Sequence, residues 1–293
     1  MDTPDLIAFV QVADNRSFSE AALNLHLTQS AVSRRIAALE RGLGVRLFDR
    51  VGRSVTLTEA GATLLPRARR ILGEIDDSRT LLSNLRGDVG GSLRLGTSHH
   101  IGLHRLPDVL RAFSERHPDV VLELHFLDSE AAHDLLLQAQ IELAVVTLPP
   151  ETPAPLASRR VWRDPLVFAV NPDHPLASSP GPSLAELGGH RAVLPGSGTY
   201  TGRIVTRLFA GAGIELDATM STNYLETIRM MAGIGLGWTV LPATMVDERL
   251  LRIDPVDAPE LERTLGWVRH PERTASNAAR VFLEMLEAHA DPA

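Results

Sequence analysis

The sequence contains neither cysteine nor lysine. Without cysteine there is no disulfide, no thiolate-bound zinc and no thiol redox switch. Without lysine there is no Walker-type phosphate-binding lysine and no Schiff base to pyridoxal phosphate. All 29 basic residues are therefore arginines, a bias that genomic base composition explains as readily as function. No apolar run approaches the roughly 18 to 20 residues that span a bilayer. The opening residues, MDTPDLIAFVQVADN, carry no basic stretch followed by an apolar one. A cytoplasmic protein with no membrane partner is expected. No nucleophile elbow, HExxH helix or convincing pair of carboxylates occurs, so neither an enzyme nor a bound cofactor is expected.

What is present describes a globular protein of more than one part. At 293 residues the chain exceeds one ordinary core and fits a small domain plus a larger one. Its 44% hydrophobic and 22% charged residues are ordinary for a chain that buries a sizeable core. The net charge of −7 conceals an asymmetry: residues 16–70 hold ten arginines against four acidic residues. A locally basic segment on an acidic chain points to one surface that faces nucleic acid.

The pattern along the chain agrees. Leu6, Phe9, Val10 and Ala13 form one amphipathic segment. Ser17, with Glu20 three residues on, opens a second short helix that ends near His26. Thr28 caps a third, in which Ala31, Val32, Ile36, Leu39 and Leu43 recur at helical spacing until Gly44. RLFDRVGRSVTLT then reads as a two-stranded wing turning at Gly52. Thr58 caps a longer helix whose apolar stripe, from Leu64 to Leu85, is too broad for solvent and implies pairing with a second subunit. DVGG at residues 88–91 marks a boundary, after which strands and helices alternate. Strands are expected at residues 93–97, 120–127, 141–147, 165–170, 191–194, 236–241 and 264–268. Helices are expected at residues 106–116, 131–138, 201–211, 223–232 and 276–288. Such alternation means parallel strands with crossover helices.

The stretch ALNLHLTQSAVSRRIAALERGLGVRLFDRVGRSVTLTEAG, residues 22–61, resembles the DNA-binding domain of LysR-type transcriptional regulators. A first strand ending LGTS, then NPDHPLA and GIGLGWTVLP, extend the resemblance over essentially the whole chain. It implies an α/β protein overall: a winged helix-turn-helix at residues 1–58, a linker helix at 59–90 and a regulatory domain at 91–293. That domain would have two lobes of the periplasmic-binding-protein type, lobe I at about 91–163 and 268–293 and lobe II at about 164–267. The chain would cross between them near residues 161–165 and 266–268. The resemblance further implies double-stranded promoter DNA as partner, dimers through the linker helix, tetramers through the regulatory domains, and a small effector between the lobes. A transport receptor of the same lobes is disfavoured by the attached DNA-binding segment. A regulator that binds DNA without any effector is the competing reading.

Residues at the start of a recognition helix reach base edges in the major groove. By resemblance and geometry, Gln29 and Arg34 are the expected base readers, for adenine and guanine respectively. Thr28, Ser30, Ser33 and Arg35 complete the DNA-facing set, Ser30 and Ser33 on phosphates. In the wing, Arg53 is expected on DNA, while Arg50 serves either DNA or an internal carboxylate pair. For the effector, Thr97, Ser98, His99 and His100 lie where a parallel strand hands over to a helix, the end at which open α/β sheets bind ligands. Thr147 ends a neighbouring strand. Gly196, Ser197, Gly198 and Thr199 make a turn whose backbone N–H groups could meet an anion. A small polar or anionic effector is expected from these hydroxyls and donors. His100 and His104 stand at i and i+4, a chelating spacing. However, Pro107 suits the first turn of a helix and puts His100 ahead of it, and no carboxylate completes the set. No metal is expected.

Overall fold

The computed structural model describes residues 1–51, 54–85, 87–179, 181–218 and 220–291. It forms two compact units, one of residues 1–86 with 138–140 and one of residues 87–137 with 141–293.

The first unit is built from helices that local sequence specifies. α1 (Thr3–Asn15), α2 (Phe18–Asn24) and α3 (Gln29–Leu43) bury Leu6, Phe9, Val12, Phe18, Val32, Ile36 and Leu39 against one another. Ser17 accepts a hydrogen bond from the Glu20 amide at 3.2 Å and Thr28 from the Ala31 amide at 3.2 Å, so each helix start is capped. Gly44 ends α3 with φ of +71°, a left-handed conformation that favours glycine. Beyond it, the Glu40 carboxylate accepts from the Leu47 amide at 2.8 Å and holds the chain as it enters the wing, β1 (Phe48–Val51) and β2 (Ser54–Leu57), which pair antiparallel. Phe48 packs on Phe9 and Phe18 at ring distances of 5.4 and 5.8 Å. α4 (Glu59–Asn84) follows, and its Gly61 lies so close to the wing base that an added Cβ would stand 2.2 Å from the Leu47 carbonyl oxygen. Farther along, Leu81 and Leu82 of α4 and the C-capping Leu85 are exposed.

In the second unit the elements run in order β3 (Gly91–Thr97), α5 (His99–His104), α6 (Pro107–Arg116), β4 (Val120–Phe126), α7 (Ser129–Leu137), β5 (Leu143–Thr147), β6 (Ala157–Val170), α8 (Leu184–Gly188) and β7 (Val193–Leu194). The remainder is α9 (Tyr200–Gly211), β8 (Met220–Ser221), α10 (Leu225–Gly233), β9 (Thr239–Pro242), β10 (Leu251–Ile253), β11 (Leu261–Arg269) and α11 (Asn277–Glu287). A seven-stranded sheet has the order β10-β6-β11-β5-β3-β4, with β9 also on β6. Parallel pairing holds for β3 with β4 and β5, as the alternation predicts; β6, β9, β10 and β11 are antiparallel.

β6 and β11 depart most from expectation. They begin eight and three residues before the apolar runs at residues 165 and 264. Their extra pairs mix polar ones, Arg263↔Asp164 and Thr264↔Arg163 among them, with apolar ones such as Leu265↔Trp162, so no regular alternation marks them, yet they pair backbone to backbone. Both positions at which the chain was expected to cross between lobes fall inside these two strands. β9 starts at Thr239 instead of residue 236, after a turn in which Gly235 has φ of +84°. α10 starts at Leu225 because Asn223 is drawn out of the helix, its amide donating to Asp128 at 2.6 Å. Pro107 opens α6, as its fixed φ suggests, and His100 lies ahead of that helix; but a separate helix, α5, stands there, so both His100 and His104 are helical.

Separate cores support the two ends of this sheet. Leu93, Leu95, Ile101, Phe113, Leu143 and Phe282 gather around β3. Phe168, Phe209 and Trp238 gather with Val240 and Leu194 around β6, β7 and α9. Among the described residues no helix is long and apolar enough to cross a membrane.

Candidate functional site

The first unit presents a polar helix start. Thr28, Gln29, Ser30 and Arg34 are exposed at the beginning of α3, while Ser33 and Arg35 are half-buried. The Thr28 hydroxyl lies 3.0 Å from that of Ser30, and the Arg35 guanidinium donates to the Pro4 carbonyl at 3.5 Å, tying α3 to α1. Gln29 and Arg34 are exposed and make no side-chain hydrogen bond among the described residues. Arg50 sits in β1 opposite Val55, and Arg53 lies outside the described residues.

The second unit contains a cavity of about 240 Å³. Ser98, His99, His100, Thr147 and Thr199 line it, as do Ser129, Glu130, Thr201, Tyr224 and Arg263. The structure thus gathers five of the nine expected effector residues, from β3–α5, β5 and the turn before α9. The other four stand differently. Thr97 is fully buried and its hydroxyl donates to the Val145 carbonyl at 2.8 Å, so the sheet consumes it. Ser197 lines a different cavity, with Leu194, Thr206 and Phe209. Gly196 and Gly198 line neither of these two cavities. The Gly196 backbone is already occupied: its amide donates to Asn223 at 3.3 Å, and its carbonyl accepts from the Thr199 hydroxyl at 2.8 Å.

Arg263 is the residue that sequence reading missed. It is 6% exposed on β11, and the strand register sets it directly opposite Asp164 of β6. Its Nε donates to Asp164 at 2.6 Å and its Nη1 to the Thr201 hydroxyl at 3.1 Å. Its Nη2 is buried without a partner among the described residues. Burial lowers the Arg263 pKa and the Asp164 carboxylate opposes that shift, and a guanidinium remains charged throughout. Arg105 donates to the other Asp164 oxygen at 3.2 Å. The carboxylates that line the cavity are themselves engaged: Glu130 accepts from Arg203 at 3.1 Å and Asp128 from Asn223 at 2.6 Å. One cationic donor therefore remains uncommitted at the wall. The only sequence sign of it is an arginine inside an otherwise apolar-alternating strand.

His100 is 3% exposed, and both of its ring nitrogens lack hydrogen-bond partners among the described residues. Desolvation first, then the nearby Arg263, lower its pKa to about 3, so the ring is neutral at ordinary pH. His99 packs its ring on Tyr224 and Phe126 at 4.7 and 5.1 Å. Glu226 of α10 accepts a hydrogen bond from His104 Nε2 at 3.1 Å, and so supplies a carboxylate that sequence spacing did not reveal.

Comparison with known proteins matches both units. Residues 4–62 match the family described as bacterial regulatory helix-turn-helix protein, lysR family, and residues 86–291 match the LysR substrate binding domain. An uncharacterized HTH-type transcriptional regulator of Azotobacter vinelandii is 66% identical over 107 residues, 36% of this chain and 74% of that protein. The uncharacterized HTH-type regulator YybE of Bacillus subtilis is 29% identical, with 99% of each chain covered. Full-length OxyR from Pseudomonas aeruginosa has the same fold, with a TM-score of 0.71 at 23% identity over 99% of this chain and 94% of that one. With a basic, outward-facing helix start in one unit and a polar cavity in the other, and with both family descriptions covering nearly every residue, this chain belongs to the LysR family of transcriptional regulators, carrying a DNA-binding helix-turn-helix and an effector-binding domain.

Proposed function

We propose that this regulator reads promoter DNA with the start of α3 and the wing, acts in the cytoplasm, and is switched by a small anion held against Arg263. The observation that carries the effector class is the free Nη2 of a buried guanidinium at the wall of a hydroxyl-lined cavity. A buried donor without a partner costs about 1 to 3 kcal/mol, more when charged, and an anion removes that cost. Thr201 steers the guanidinium, and Ser98, Thr147 and Ser129 offer hydroxyls to the remainder of the ligand. An anion in contact with both β3–α5 and the start of α9 favours whichever arrangement brings them together, by its differential affinity. Thiol oxidation is excluded as input by the lack of cysteine.

The test is a thermal-shift series with inorganic phosphate and small carboxylates, each carboxylate paired with its neutral amide. The expected result is stabilisation by the anion alone, about 2.7 kcal/mol at 100 times its Kd. Amides that stabilise as well as their acids would overturn the anionic reading. A series in which nothing binds would favour effector-independent regulation.

The oligomer is proposed to form through α4, because Leu81, Leu82 and Leu85 leave an apolar edge exposed on one chain. A dimer places two recognition helices on symmetric half-sites. In that arrangement Arg34→Ala should weaken the specific site by about 1 to 3 kcal/mol and relax preference at one base pair per half-site. Gel-shift or anisotropy titration against single-base variants of the site reads this out. Uniform weakening across all sequences would reassign Arg34 to phosphate.

A further inference from the structure

At the edge of the cavity, which His100 lines, residues from two helices converge in a way the anion site at Arg263 does not use. His100 and His104 lie one turn apart on α5, and Glu226 stands on the first turn of α10. One ligand atom from each lies within 4.8 Å of the others. Glu226 Oε1 is 3.1 Å from His104 Nε2 and 4.0 Å from His100 Nδ1. We propose that His100, His104 and Glu226 form a binding site for a divalent transition-metal ion such as zinc or cobalt.

One further observation supports the trio. His100 Nδ1 is a buried ring nitrogen with no hydrogen-bond partner among the described residues, 4.0 Å from Glu226 Oε1. Buried polar atoms are satisfied in the great majority of cases, and a metal satisfies this one.

The charges also permit a cation. Arg263 and Arg105 are both held by Asp164, which leaves the Glu226 carboxylate facing the two imidazoles. Zinc–ligand bonds of about 2.0 to 2.1 Å put tetrahedral ligand atoms about 3.4 Å apart. The His104–Glu226 pair is already within that spacing, and the widest separation must close by little more than 1 Å. The His104 side chain, 40% exposed, can make that adjustment and leaves a path from solvent. Two imidazole nitrogens and one carboxylate oxygen suit zinc, cobalt, nickel or copper(II) over magnesium or calcium. A fourth position remains for water or another small ligand.

The experiment uses chelator-treated full-length protein titrated with cobalt(II), followed by visible absorption, then with zinc(II) in competition. One ion per chain is expected, displaced by zinc and not by magnesium. His104→Ala and Glu226→Gln should each lower cobalt affinity by about tenfold or more. Both positions are solvent-reached, and circular dichroism checks that each variant remains folded. Less than one ion per chain in the unaltered protein, or unchanged affinity in both variants, would overturn the site. Neither readout depends on an anion binding at Arg263, so the two proposals fail separately.

Discussion

Replacing Arg263 with methionine is expected to erase the preference for acids over amides and to cost about 3 kcal/mol of stability. Removing one partner of a buried ion pair costs about 3 to 5 kcal/mol, because the other charge is left uncompensated. Here Arg105 still reaches Asp164 at 3.2 Å, which places the loss at the lower end. For a unit of about 200 residues that corresponds to a fall in Tm of roughly 6 to 12 °C. A binding defect in this variant could follow from structural damage alone, and the double variant Arg263→Met with Asp164→Leu separates the two. Replacing both partners by apolar groups of similar size is often neutral or stabilising, so the double variant should regain much of the lost Tm. Acid-over-amide discrimination should stay absent. If the single variant still discriminates, Arg263 is not the anion donor.

Truncating Trp238 should lower stability at least as much, with an effect on the cavity transmitted through packing alone. Trp238 is fully buried, stacks on Phe209 at 5.3 Å and meets Phe168 at 5.9 Å. Its indole N–H donates to the Leu187 and His190 carbonyls at 2.8 and 3.1 Å. Trp238→Ala is therefore expected to cost about 3 to 5 kcal/mol, a drop of roughly 6 to 20 °C in Tm. Phe209 belongs to α9, whose first residues, Tyr200 and Thr201, wall the cavity. Anion affinity should accordingly fall although no ligand-contacting atom has changed. Trp238→Phe keeps most of the ring and loses the hydrogen bonds, so its smaller loss measures their share. A Tm change under about 2 °C for Trp238→Ala would show that Phe168 and Phe209 close over the void.

The helix-turn-helix was legible because each of its signals is short-range. Ser17, Thr28 and Thr58 cap the helices they precede, each by a bond to an amide three residues on. Val32, Ile36 and Leu39 recur at helical spacing and are all buried. The end of β3 was legible too, although the helix expected after it was placed at residues 106–116 and α5 was not foreseen. Thr97 shows the limit of that reading: the right segment was identified, but its hydroxyl turns into the sheet and not into the cavity.

The sequence by itself determined that this chain carries a DNA-binding helix-turn-helix and a regulatory α/β unit, because capping, helical periodicity and a long contiguous motif are all local. Only the tertiary structure decided which side chains meet around the cavity. Arg263 acquires its partner from the antiparallel register of β6 and β11, where it stands opposite Asp164, 99 residues away along the chain. Glu226 reaches His104 across 122 residues because α10 comes to lie beside α5. A shift of β11 by one residue would turn Arg263 to the opposite face of the sheet. Register and helix placement are set by the burial of whole faces, and no short window of sequence contains that information.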